Sequence, residues 1–226
     1  SQLKRRIPIE STPTWLRDSE KRTALLNEIK FLISKTLGAE NVREKLSECP
    51  LSISFDGYVD SPNSLFKTGD AKLLDIFVKL GFDWRFASKD NHDFIFELVK
   101  ELTVADAISL LASIEPDEIE GLAGESHEGY KYLISWLLKT PQELDDGTKL
   151  GLKNLAIWAS QDGFKTLDEL VVPGDFDNPL GLASLVDLEF LGVDSSKLEE
   201  IGATPLTFES YLDQVQTYFE KHQETN

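Results

Sequence analysis

The chain has 226 residues and a formal net charge of −17, with 41% hydrophobic and 28% charged residues. That size supports one or two domains with their own cores, and the composition excludes collagen-like, mucin-like and wholly disordered classes. No run approaches the roughly 18 apolar residues of a membrane helix; the richest stretch, Tyr132–Leu138, is far too short.

The charge is unevenly placed. Residues 1–50 carry 10 Lys and Arg against 7 Asp and Glu, and the rest of the chain carries 13 against 33. A field of that sign repels nucleic acid and anionic membranes and steers basic proteins inward. The same acid also keeps a small protein in solution. The start, Ser1–Arg6, is basic, but Pro8, Glu10, Pro13 and Arg17 stand where a secretory leader needs its apolar stretch. Cys49 is the single cysteine, so no disulfide forms within the chain. The expectation is a cytoplasmic protein whose partner is neither nucleic acid nor membrane.

In chain order, residues 1–14 hold two prolines and little periodicity, and read as an extended arm. A helix is predicted from Ser19 to Lys35, where Leu25, Leu26, Ile29, Leu32 and Ile33 recur at spacings of three and four. Gly38 supplies its stop signal. A shorter helix is predicted over Glu40–Glu48, ended by Pro50. Leu51–Phe55 alternates like a strand, but Asp56-Gly57 closes it and no partner is evident, so an extended connection fits equally. These segments make residues 1–58 an arm with a helical cap.

From residue 59 onward short apolar runs alternate with turns: Gly69-Asp70, Gly81-Phe82-Asp83, Asp90-Asn91, Asp145-Asp146-Gly147, Asp162-Gly163 and Pro173-Gly174-Asp175. The runs have helical spacing, as in Leu73, Leu74, Ile76, Phe77, Val78 and Leu80. Breaks this frequent predict pairs of short antiparallel helices, the building unit of a solenoid.

Lys67–Trp84 resembles the second half of an ankyrin repeat, with an apolar helix followed by a glycine break. Leu155–Leu170 looks like the middle of another. The family's opening Thr-Pro-Leu-His turn is echoed by Thr204-Pro205-Leu206-Thr207, by Asn178–Ala183 and, more weakly, by Ser61-Pro62. In such a turn Thr caps the helix and Pro starts it, because the missing N–H is unused there. Helix starts are predicted at Ser61, Asp93, Asn154, Asn178 and Thr204, with a further unit near His127–Lys139. The resemblance covers about two thirds of the chain and implies an all-α, ankyrin-like solenoid over residues 59–226 that binds another protein through its concave face.

A search for catalytic patterns returns little. His92, His127 and His222 are scattered, and no Cys/His cluster has zinc spacing. No nucleophile elbow, Walker loop or Rossmann glycine triplet occurs. Cys49, before Pro50, reads as a small buried or half-buried residue. The expectation is therefore a non-enzymatic protein without cofactor or metal. Its acidic pairs, Glu115 with Asp117 and Glu118, Asp145 with Asp146, and Asp175 with Asp177, fit none of the calcium-loop spacings. They read either as helix-start residues or as contacts for a basic partner. Trp84, Arg85 and Phe86 follow the Gly81 break, where the resemblance implies a projecting finger, and Trp and Arg are interface-anchor types. Alternation places Trp84 and Phe86 on one side of the chain. With Asp90 and His92 they complete the candidate partner-binding set. The expected function is that of an acidic interaction module, an immunity or inhibitor protein covering the basic surface of a toxin or enzyme. The alternatives are a nucleic-acid mimic and, further off, a hydrolase assembled from distant carboxylates.

Overall fold

The arm read as extended finds its partner far along the chain. Ile7–Pro8 (β1), Ser52–Ile53 (β2) and Tyr58–Asp60 (β3) form an antiparallel sheet in the order β1-β3-β2. Val59 sits opposite both Ile7 and Ile53. This computed structural model describes residues 6–35, 39–174, 176 and 178–223; Gly38, Asp175 and Asp177 lie outside them. By contacts the chain divides into two units, Ser1–Leu102 and Thr103–Asn226, whereas the sequence reading set its boundary at residue 58.

In the first unit, Thr14–Arg17 (α1) leads into Ser19–Ser34 (α2), capped by the Asp18 carboxylate, which accepts the N–H groups of Glu20 and Lys21. Ala39–Glu48 (α3), Ala71–Lys79 (α4) and Asp93–Leu98 (α5) complete its helices. Leu26, Ile29 and Ile33 lie three and four residues apart on one face of α2, as the periodicity requires. They pack on Phe94 and Ile95 of α5, with Val42, Leu46 and Leu51 closing the edge. The predicted cap is thus part of one core with α5. Asp70 caps α4, and Gly81, at φ +79°, ends it in a conformation that costs glycine least. Phe66–Lys67 (β4) and Lys100–Glu101 (β5) form a parallel pair beside a cluster of Phe66, Phe77, Phe82 and Phe86 rings.

The second unit opens with Val104–Leu111 (α6), whose Thr103 and Asp106 form a capping box. Pro116–Glu125 (α7), His127–Leu137 (α8) and Asp146–Lys153 (α9) follow. Trp158–Ser160 (β6) and Gly163–Lys165 (β7) then make a hairpin. Leu188–Leu191 (α10), Ser195–Glu200 (α11) and Phe208–Gln223 (α12) complete the unit. The core is centred on the fully buried Tyr130 and Trp158. Rings of Tyr130, Phe164 and Phe190 meet edge-on or tilted around them.

The all-α, ankyrin-like solenoid is corrected by this architecture: the described residues are 57% helical and 12% strand, with three small sheets among them, and the fold is therefore mixed α/β. The strands are two or three residues long, too short for alternation to register in sequence. The partners of β1 and β4 also lie far along the chain. The segment read as the middle of a repeat, Leu155–Leu170, holds the β6–β7 hairpin instead. Of the predicted starts, Asp93 opens α5, but Asn154 closes α9, and Asn178 and Thr204 stand outside helices. Ser61 precedes only a three-residue 3-10 turn. At Thr204-Pro205 the chain bridges to Val172. The Val172 N–H donates to Thr204 and the Leu206 N–H donates to Val172. Pro205 falls at the one position whose N–H that bridge leaves unused.

Candidate functional site

Arg6 is the residue that joins the first unit's sheet to its surface aromatics. Its guanidinium donates two hydrogen bonds to Asp56, at 2.7 and 2.8 Å, one to Asp60 at 3.1 Å and one to the Ser54 hydroxyl at 2.9 Å. The same plane lies 4.7 Å from the Tyr58 ring centroid and 5.7 Å from that of Trp84. The Arg85 guanidinium in turn lies 5.1 Å from the Trp84 ring centroid and 5.2 Å from that of Phe66. Tyr58, Arg6, Trp84, Arg85 and Phe66 therefore form a ladder of alternating rings and cations, each contact favoured by the ring quadrupole. Trp84 at its centre is 40% exposed, and Ile7 of β1 and Phe55 of the turn between β2 and β3 are exposed too.

The expected common side for Trp84 and Phe86 is corrected. Residues 83–85 form a 3-10 turn, which breaks the alternation. Phe86 points inward against Phe66 and Phe77 and is buried. His92 caps α5 through Nδ1, which accepts the Phe94 N–H, while Nε2 meets the Asn27 amide oxygen at 3.1 Å. Asp90 is exposed and hydrogen-bonded to Ser88. Cys49 is exposed, not buried, because it lies just beyond α3 with Sγ donating to the Lys45 carbonyl.

Burial opposes ionisation of Asp56, but the hydrogen bonds from Arg6 and Ser54 and the Arg6 charge outweigh it and hold its pKa below the ordinary 3.8. A carboxyl group with a lowered native pKa gives stability that is complete above its unfolded value and is lost as pH falls through the native one. The first unit is therefore expected to weaken below about pH 4, and Asp56→Asn to flatten that part of the profile. Arg6→Ala is expected to cost roughly 2 kcal/mol at neutral pH, in the range of hydrogen bonds to charged groups. Urea unfolding between pH 7 and 3 measures both; an unchanged acid limb in the Asn variant would overturn the assignment.

The second unit is organised by charge. The first unit holds 16 of the 23 basic and 16 of the 40 acidic residues, and the second holds the other 7 and 24. The entire net charge of −17 thus belongs to the second unit. Glu115, Asp117 and Glu118 stand at the start of α7, where the Glu118 carboxylate accepts the Glu115 N–H at 3.1 Å. Asp145 caps α9 and Asp146 is in its first turn. The Thr148 N–H, donated at 2.7 Å, holds the Asp145 carboxyl below its ordinary range. The Thr166 N–H does the same for Glu169. Glu115–Glu118 and Asp145–Asp146 stand at the starts of two separate helices. Among the described residues, no group of three His, Cys, Asp or Glu side chains is placed to hold a metal. No helix among them is long and apolar enough to cross a membrane.

Two further features escaped sequence reasoning. Arg6 had no local signal, because Asp56 and Asp60 lie some fifty residues away. The apolar face of α12 did have one: Phe208, Leu212, Val215 and Phe219 recur at four, three and four, with Val215 turned to the core and the other three exposed. The sequence reading places that segment in the repeat unit that starts at Thr204. Comparison with protein-family models, curated proteins and solved structures finds no match, so the ankyrin resemblance rests on the residues quoted for it.

Proposed function

We propose that this protein is an interaction module whose acidic second unit docks on the basic surface of another protein, as an immunity or inhibitor protein covers a toxin or enzyme. The observation that carries this reading is the confinement of the whole −17 charge to residues 103–226 while the first unit is balanced. Asp145 and Glu169 are held in their ionised form by backbone N–H groups. A field of one sign on one unit accelerates encounter with a basic surface and rejects acidic competitors.

The test begins with capture of the partner on the tagged chain and continues with binding kinetics across a salt series. Asp117→Lys with Asp146→Lys is the suitable reversal, because neither residue is a helix cap. Association is expected to slow about tenfold at low salt and to converge with wild type at high salt. A rate that stays flat across the salt series would leave the charge as a solubility feature. In the first unit, Trp84→Ala is expected to speed dissociation while leaving association unchanged, as loss of a rigid anchor does. If the captured partner is a DNA-binding enzyme that DNA displaces from the chain, the acid acts as a nucleic-acid mimic.

A further inference from the structure

The α12 helix presents more apolar surface than its own unit covers. Tyr211 and Val215 attach it to a cluster with Ala183, Leu206 and Phe176. Phe208, Leu212 and Phe219 lie on a neighbouring stripe and are 57%, 47% and 54% exposed. From Gln216 to Glu220 every side chain is exposed. A helix of this length is marginal without packing, and this one leaves its largest apolar residues in water. At its N-terminal end, Phe208 meets Phe176 edge-on at 5.5 Å. Both line an open cleft of about 720 Å³ that also includes Pro205 and Glu199.

The rim of the stripe selects the occupant. Glu209, Asp213 and Glu220 line one edge of it, the other edge being turned to the unit's own core by Tyr211 and Val215, and no basic residue occurs between Phe208 and Glu220; Lys221 and His222 follow at the end of the helix. An apolar stripe with an acidic free edge complements an amphipathic helix with Lys or Arg beside its apolar face. Burying the stripe between two copies of this chain would instead bring two such acidic rims and two charges of −17 together. We infer that α12 and its adjoining cleft form the groove that seats an amphipathic, basic helix of the partner protein, with apolar anchors at spacings of three, four and seven. This rests on the acidic-docking reading and adds where and in what conformation the partner binds.

The experiment uses fluorescence anisotropy with a labelled Leu/Lys amphipathic peptide of about five helical turns, a scrambled peptide of the same composition, and a Leu/Glu amphipathic peptide. The full chain is expected to bind the first about tenfold more tightly than the second and not to bind the third. Leu212→Ser with Phe219→Ser is expected to remove that tenfold preference. Hydrogen exchange on the wild-type chain, which needs no variant, is expected to show added protection of the amides from Leu212 to Glu220 when the Leu/Lys peptide binds. Equal binding of the two basic peptides, untouched by the double variant, would overturn the groove and leave the acidic-docking reading standing. Failure of either basic peptide to bind at low salt would overturn both. A concentration-dependent dimer abolished by the double variant would assign the stripe to a second copy and overturn the inference.

Discussion

Trp158→Ala is expected to lower the stability of the second unit by about 4 kcal/mol, a large part of the 5–15 kcal/mol that typical domains possess. The indole is fully buried at the start of β6, and its Nε1–H donates to the Leu152 carbonyl at 3.0 Å. Leu152 stands in the last turn of α9, where carbonyls lack helical partners. The side chain thus fills the core and closes a helix end at once. Beside it the Tyr130 hydroxyl donates to the Ile157 carbonyl at 2.7 Å, and burial pushes the phenol pKa far up, so that it stays a neutral donor. Trp158→Phe keeps most of the bulk and loses the donor, and is expected to cost about half as much. Urea unfolding followed by circular dichroism separates the two contributions. A loss below about 1 kcal/mol for the alanine variant would mean that the residue is not the centre of this core.

Asn91→Leu is expected to destabilise the first unit by about 3 kcal/mol or more, although the substitution is close to isosteric. The amide oxygen of Asn91 accepts the Ile53 N–H at 2.7 Å and the Ser52 hydroxyl at 3.2 Å. Its NH₂ group donates to the Ile53 and Ser88 carbonyls, each at 2.7 Å. All four capacities of the side chain are used, and Ser52 and Ile53 are themselves buried. Leucine would take this acceptor from the buried Ile53 N–H, at roughly 1–3 kcal/mol, and remove a second donor from the Ile53 and Ser88 carbonyls, which keep the Ser88 and Asn91 backbone N–H groups. Asn91→Asp keeps the acceptor but turns a carboxylate oxygen toward the two carbonyls, so it is not expected to rescue. Denaturant midpoints of the two variants and wild type decide the matter; a leucine variant within about 0.5 kcal/mol of wild type would show that water replaces the amide.

Local order was legible where the signal was local. The apolar spacing of α2 and α4, the Asp-led start of α4 and the Gly81 stop are each the work of residues within one or two turns. The helix is fixed there by capping and by a face that must be buried. The acidic pairs at α7 and α9 were legible as helix-start residues for the same reason. Trp158 is core, although its segment read as the middle of a helical repeat and is a strand.

Pairing across sequence distance was not legible. Leu51–Phe55 carried the alternation of a strand and pairs with the nearby Tyr58–Asp60, but the far edge of that strand is taken by the arm, some fifty residues back. Asp90-Asn91 read as an ordinary turn, and only the fold brings Asn91 against Ile53 and gives its amide four partners. Arg6 read as part of a basic start until the sheet set it between Tyr58 and Trp84. By itself the sequence determined the helix faces, their caps and an acidic excess. The tertiary structure decided which strands pair, which aromatics face water, and that all of the excess charge belongs to one unit. The physical reason is range: capping and periodicity act within a few residues, whereas ladders, cation–π stacks and the division of charge between units depend on contacts that only chain closure creates.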